Sequence, residues 1–185
     1  MKNQIQADNN GSTYLGQQLC VGRPKKASPQ ATIEYEMKML QFARVQIISA
    51  VQEGRASAPH FWEKIECFLL HYRNLIQFLG GSEKRKDDLS FTADFGDQID
   101  ETLIIAIEKV VKPLVEKYSN QISKYLAHCT RLRHELDRDW YINEMYFELL
   151  PAIHLLRSAF GLQAWNQQGD MVLKWGESLL DTSLM

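Results

Sequence analysis

The stretch "FLLHYRNLIQFLGG", residues 68–81, places three polar side chains inside an apolar helical pattern. His71, Arg73 and Asn74 supply an imidazole, a guanidinium and an amide, all of which can donate hydrogen bonds. At about 100° per residue, His71 and Arg73 fall on opposite borders of the apolar stripe, so we expect them to serve different partners. Arg73 is the better match for a carboxylate, since its fork can bind one at two points.

A second polar group lies in "SKYLAHCTRLRHE", residues 123–135. Lys124, His128, Arg131 and Glu135 recur there at spacings that place them on one helix face. The first three are cationic or can become so, and like charges at this spacing mildly destabilise a helix unless an anion or a carboxylate faces them. The sequence therefore predicts a counter-charge for this cationic face.

Two interpretations of the counter-charge stay open. In the first, carboxylates of the acidic connection, Asp88 and Asp94 among them, complete a buried hydrogen-bonded network that fixes the fold, with Arg73 bound to one of the two. In the second, His71 and the cationic face line one pocket that binds an anion such as phosphate. A charged stripe beside a core stripe is also what any amphipathic helix shows.

Helical periodicity organises the chain that must position these residues. Apolar residues recur at three- and four-residue spacings in long segments, and no window alternates with the period of a strand. Glu53–Pro59 ends the first segment, Gly80-Gly81 ends the second, and Pro113 and Pro151 predict a kink or a bend in later ones. We therefore predict an all-α bundle of four to five helices.

The pattern divides the chain into three parts. Residues 1–30 are rich in Asn, Gln, Gly and Ser and predict a flexible arm. Residues 31–160 form the predicted helical bundle domain. Residues 161–185 predict a C-terminal tail, in which "GDMVLKWGESLLD" favours a short amphipathic helix.

Composition narrows the classes of function. The formal net charge of the 185 residues is −2, so the protein as a whole is not built for binding nucleic acid or an anionic membrane. Three cysteines without C-x-x-C spacing predict free thiols in a reducing compartment, and no apolar run is long enough to span a bilayer. We expect a cytoplasmic protein with no membrane partner, no metal and no cofactor.

The order of the polar motifs resembles that of a family of small bacterial all-helical proteins of uncharacterised activity. In that family His-x-Arg-Asn-Leu-Ile, an acidic Asp-Asp loop followed by Asp-Phe, and Lys-x-x-x-His-x-Thr recur in this order, and residues from about 58 to 142 carry the resemblance. The positions that it implies for a polar network or site are His71, Arg73, Asn74, Asp88, Asp94, Phe95, Lys124, His128 and Thr130.

More distantly, the pattern is similar to the HEPN superfamily, helical bundles that often dimerise and include metal-independent ribonucleases of toxin–antitoxin and phage-defence systems. Their signature is Arg followed, after four to six residues, by His. The histidine acts as general acid or base and the arginine holds the phosphate. Here Gln121, Ile122 and Ser123 occupy the positions before His128 at which the arginine is required. The spacing itself recurs only in "RASAPH", residues 55–60, which contains Pro.

Two hypotheses of different classes follow. The first is a non-catalytic helical module, a homodimer that acts by protein interaction; the second is a ribonuclease or nucleotide-binding protein that uses His128, Lys124, Arg131 and His71. Dimerisation is indicated by large apolar residues outside the main stripes, which one small bundle does not easily hide. These residues are Trp62, Leu70, Phe147, Leu150 and Trp165.

Overall fold

The computed structural model describes residues 28–56, 59–81, 89–127 and 139–162. Every regular element in these ranges is helical, which confirms the all-α fold. The elements are α1 (Pro29–Gln52), α2 (Pro59–Leu79), the single-turn α3 (Phe91–Phe95) with a 3-10 turn (Gly96–Gln98), α4 (Glu101–Leu114), a π-helical turn (Val115–Ser119), α5 (Asn120–Ala127) and α6 (Ile142–Ala159). The predicted arm, residues 1–30, is two residues too long, because Pro29 and Gln30 already belong to α1; its residues 1–27 lie outside the described residues. Of the predicted tail, residues 161–185, all but residues 161 and 162 lie outside them as well.

Helix α1 begins where local chemistry favours a start. The Ser28 hydroxyl accepts a hydrogen bond from the Ala31 backbone N–H at 3.1 Å, and Pro29 occupies the first turn, where a missing N–H costs little. The helix ends at Gln52, and Gly54 follows with a φ of 69°. The buried stripe of α1 packs mainly on α2 and over a smaller area on α6.

Helix α2 is the centre of the bundle. It packs along α1 and also touches α3, α4, the π turn, α5 and α6. Burying a side chain of the Leu or Phe type stabilises a fold by about 1.5–3 kcal/mol relative to leaving it in water, so this helix contributes much of the core. Its fully inaccessible residues recur at helical spacing: Phe68, Leu69, Tyr72, Leu75, Ile76 and Leu79.

The Gly80-Gly81 pair ends α2, as the sequence predicts, and each glycine has its own reason. Gly81 has a φ of 62°, a backbone conformation that residues with a Cβ rarely adopt. Gly80 lies close to other atoms: a Cβ there would be 2.6 Å from Cγ2 of Val115 and 2.8 Å from the carbonyl oxygen of Ile76. The absence of a side chain at Gly80 thus lets the end of α2 lie against the π turn.

The helical pitch changes soon after Pro113. Proline has no N–H to give to the preceding turn, and the five residues from Val115 to Ser119 form the π turn instead of continuing α4 unchanged. Tyr118 of this turn is 8% exposed, and its hydroxyl donates to Oε2 of Glu148 on α6 at 3.0 Å. The predicted break at Pro113 therefore appears as a π turn whose tyrosine contacts α6.

Ion pairs hold the first turns of α6 against the π turn. The Lys117 ammonium lies 3.2 Å from a carboxylate oxygen of Glu144 and 2.9 Å from one of Glu148. Pro151 stands inside α6, which nevertheless runs unbroken to Ala159. No helix within the described ranges is long and apolar enough to cross a bilayer.

The contact at Gly80 generates a stability prediction. We expect Gly80→Ala to lower the free energy of unfolding by about 1–3 kcal/mol, because the new methyl group overlaps Val115 and the Ile76 carbonyl. Urea denaturation followed by circular dichroism measures this change.

Gly96→Ala is the matched control. Gly96 has a φ of −55° and its nearest neighbour to a new Cβ, the Cγ2 atom of Thr92, would be 3.8 Å away. We expect a change within about 0.5 kcal/mol for this variant. Equal midpoints for Gly80→Ala and the unchanged protein would show that Val115 moves aside without cost.

Candidate functional site

His71 lies where α2 meets α1, and a carboxylate binds it. Its Nδ1 is 2.8 Å from Oε2 of Glu36, and the Asn74 amide donates to the same oxygen at 3.0 Å. The His71 and Glu36 side chains are only 8% and 16% exposed. The Tyr35 ring stands edge-on to the imidazole, with 5.8 Å between ring centres. Glu36, His71 and Asn74, hereafter the Glu36 cluster, thus form a largely buried hydrogen-bonded group.

The surroundings of His71 act on its proton in opposite directions. Burial lowers its pKa, but hydrogen bonds with Cys67 and Glu36 and the charge of Glu36 outweigh burial and raise the pKa of His71 to about 9. Cys67 stands one turn earlier on the same face of α2. His71 is therefore protonated at neutral pH and forms an ion pair with Glu36. A protonated imidazole cannot accept a proton, which makes His71 unsuited to general-base catalysis at that pH.

Two neighbouring residues of α2 carry buried polar atoms without a hydrogen-bond partner in the part of the chain that the structure describes. These atoms are Nε of Arg73 and the hydroxyl of Tyr72. The sequence predicts that Arg73 binds Asp94 or Asp88. Asp94 instead accepts a hydrogen bond from the Ser90 backbone N–H beside α3, and no ion pair joins it to Arg73. Asp88 lies outside the described residues.

Most of the predicted cationic face is also outside the described ranges. Lys124 lies on α5 with an exposed side chain, whereas His128, Thr130 and Arg131 fall in the undescribed stretch 128–138. A common network or pocket of His71 and this face therefore stays a prediction. Within the described residues, the imidazole of His71 binds Glu36 of α1.

The spacing of Arg55 and His60, which matches the HEPN signature, brings no shared site in the described residues. His60 lies in the first turn of α2 rather than in the connection, and its Nδ1 is 3.1 Å from a Glu63 carboxylate oxygen. Arg55 pairs with the nearby Glu53. Each side chain is thus bound by its own local carboxylate, and both are largely exposed.

A groove of about 440 Å³ lies where the α1–α2 connection meets the start of α6. Its walls are the last turns of α1, the first turns of α2 and residues 139–144. Three of its large apolar side chains are more than half exposed: Val51 at 55%, Trp62 at 53% and Tyr141 at 65%. The described part of the bundle therefore leaves a concave apolar surface in contact with solvent.

Phe147 extends this surface along α6. It is 50% exposed and stands one turn after Asn143, which lines the groove. Arg44 of α1 connects the two residues: its guanidinium carbon lies 4.9 Å from the centre of the Phe147 ring, and its Nε donates to Oδ1 of Asn143 at 3.0 Å. Val51, Trp62, Tyr141 and Phe147 are hereafter the groove face.

The sequence identified this surface in part. Trp62, Leu70 and Phe147 are exposed as predicted, with Leu70 at 39%. The prediction is wrong for Leu150, which is 8% exposed, because α6 packs against α4 as well as α1 and so buries a wider face than one stripe. Trp165 lies outside the described residues.

Two residues that position these surfaces were missed. Glu36 precedes the core residue Met37 in "IEYEMK", where it has the pattern of an ordinary solvated helix edge. Arg44 stands likewise beside the buried Ala43. The signal available in the sequence was that both charges border the apolar stripe of α1, as His71 borders that of α2. Among the described residues, no three histidine, cysteine or acidic side chains are grouped so that they could hold a metal ion.

The Glu36 cluster generates a pH prediction. His71 has a pKa of about 9 when folded and 6.5 ordinarily, so its contribution is complete below pH 6.5 and is lost as the pH rises through 9. We expect the free energy of unfolding to fall over this window by up to about 3 kcal/mol from this group. Glu36→Gln should remove most of that decline, because the carboxylate that holds the proton on His71 is gone. Urea titrations at several pH values measure the slope.

Glu108→Gln is the matched control, since Glu108 pairs with Lys112 at 2.7 Å on the exposed side of α4. Its loss should change stability by less than about 1 kcal/mol and leave the slope between pH 6.5 and 9 unchanged. A Glu36→Gln variant with the same slope as the unchanged protein would contradict the ion pair.

Comparison of the chain with protein-family models, with curated proteins and with solved structures finds no significant match.

Proposed function

We propose that this protein is a non-catalytic helical interaction module that forms a homodimer through the groove face. The observation that carries the proposal is that three half-exposed apolar side chains line one groove, Val51, Trp62 and Tyr141, and that the half-exposed Phe147 follows Asn143 of the groove lining by one helical turn. Single exposed apolar residues are normal on a protein surface, but a contiguous group beside a concavity is typical of an interaction site.

The composition of the groove face agrees with a protein partner. Aromatic residues are enriched at protein interfaces because they remove a large apolar area from water at a small loss of side-chain entropy. Trp62, Tyr141 and Phe147 supply three such rings, and Val51 adds an aliphatic side chain from the last turn of α1. Burying these side chains would supply the apolar centre that stable interfaces have.

A second copy of the chain is the partner that the charges favour. The groove face is bordered by the cation Arg44 and by the carboxylate Asp139, so two copies related by a twofold axis can set opposite charges against each other. The formal net charge of −2 per chain adds little long-range repulsion between copies.

The alternative, a ribonuclease that uses His71, Lys124, His128 and Arg131, has less support from the two of these residues that the structure describes. His71 is buried in an ion pair and protonated at neutral pH, and Lys124 is the other described member of that set. A helical interaction module requires neither residue to be a catalyst. A bundle that presents an apolar face on a packed core meets the physical requirements of that function.

Trp62→Ala and Phe147→Ala test the proposal. We expect the full chain to be a dimer at micromolar concentration, and we expect each substitution to weaken dimerisation on the order of tenfold or more, because each removes a large apolar contact. Analytical ultracentrifugation over a concentration series measures the dissociation constant.

Ile105→Ala is the control, since Ile105 is 58% exposed on α4, away from the groove lining. It should leave the dissociation constant unchanged. A monomer at every concentration tested would refute the proposed function. Equal dimerisation of all three variants would refute the assignment of the groove face.

A further inference from the structure

Arg44 is held in one orientation beside the groove. Its guanidinium carbon lies 4.5 Å from the centre of the Tyr146 ring and 4.9 Å from that of Phe147, and its Nε donates to Asn143. This hydrogen bond uses Nε, and among the described residues the two terminal NH₂ groups of Arg44 have no hydrogen-bond partner. A carboxylate could therefore bind both of them at once.

The guanidinium of Arg44 forms no ion pair in the described part of the chain. Burial lowers the pKa of Arg44, and none of the ion pairs among the described residues includes it. Cation–π contacts with Tyr146 and Phe147 compensate in part, but a half-buried guanidinium gains most from a carboxylate. Such a residue at the edge of an apolar groove is well suited to recognise an acidic group on whatever covers the groove.

Asp139 is the complementary residue on the same surface. It lines the groove at the residues that lead into α6, its side chain is exposed, and no ion pair in the described ranges includes it. Glu144, the other carboxylate of the lining, is already bound to Lys117 at 3.2 Å. Among the described residues of the groove lining, Asp139 is thus the carboxylate to which no cation is bound.

We propose that Arg44 of one copy binds Asp139 of a second copy, and that this pair, formed twice about the twofold axis, sets the register of the dimer. This inference rests on the proposed homodimer and names the residues that give it specificity. In a twofold contact the pairing of one residue with another is necessarily repeated in the opposite sense. The apolar groove face supplies affinity, and the two ion pairs exclude other registers by placing like charges together.

A pair of charge-reversed chains tests the register. Arg44→Glu alone sets two carboxylates against each other at both contacts of its homodimer, and Asp139→Arg alone sets two guanidinium groups against each other there. Each variant should therefore dimerise at least about tenfold more weakly than the unchanged protein. When the two variants are mixed, one contact of the heterodimer joins the introduced glutamate to the introduced arginine. The other contact joins the unchanged Arg44 of one chain to the unchanged Asp139 of the other, so both contacts bring opposite charges together. We expect the mixture to form heterodimers in preference to either homodimer, measured by native mass spectrometry with one chain isotopically labelled.

A double-mutant cycle with neutral substitutions tests the same pair if Arg44→Glu disturbs the contacts of Arg44 with Tyr146 and Phe147. Arg44→Gln and Asp139→Asn should each weaken the dimer, and the double variant should be no weaker than the weaker single one, because the same contact is lost once. Lys109→Glu, an exposed charge reversal on α4, should leave the dissociation constant unchanged.

The outcomes separate this inference from the proposed function. Heterodimer preference in the mixture, or non-additive losses in the cycle, supports the Arg44–Asp139 pair. Charge-reversed variants that dimerise as tightly as the unchanged protein, or additive losses in the cycle, overturn the pair while leaving a homodimer intact. A protein that is monomeric throughout overturns both proposals.

Discussion

The enclosure of α2 by the other helices is the constraint on which the rest of the structure depends. A helix that is packed on several sides must hide most of its circumference, and six of its apolar residues are fully inaccessible. Polar side chains on the border of that surface then lie partly out of water and need partners inside the protein. His71 and Asn74 stand on this border, and Glu36 of α1 supplies the acceptor that both require.

The same packing couples the core to the exposed surface. Helix α1 lies against α2 through one part of its surface and against α6 through another. The α2 side includes Glu36 with His71, and the α6 side includes Arg44 with Asn143 and the ring of Phe147. The position of α1 therefore determines both the geometry of the buried ion pair and the shape of the groove.

Helix boundaries could be predicted because they depend on neighbours in the sequence. Gly80-Gly81 ends α2 and Pro113 precedes the π turn, each through backbone chemistry that acts within a few residues. The partners of polar residues were harder to predict. Of the two carboxylates assigned to Arg73, Asp94 binds the Ser90 backbone N–H instead, and the assignment of Asp88, which lies outside the described residues, stays a prediction. Leu150 was assigned to the surface because the number of helices that pack on α6 cannot be read from its own periodicity.

The sequence by itself determined the all-α class, the apolar stripes and the breaks between helices, since periodicity and the backbone limits of glycine and proline are local properties. Only the tertiary structure decided which charges meet. Glu36 and His71 are 35 residues apart in the chain, and Arg44 and Asn143 are 99 apart. Such pairs form when two helices pack at a particular register and rotation. That register follows from the sum of many core contacts, none of which marks its partner in the sequence.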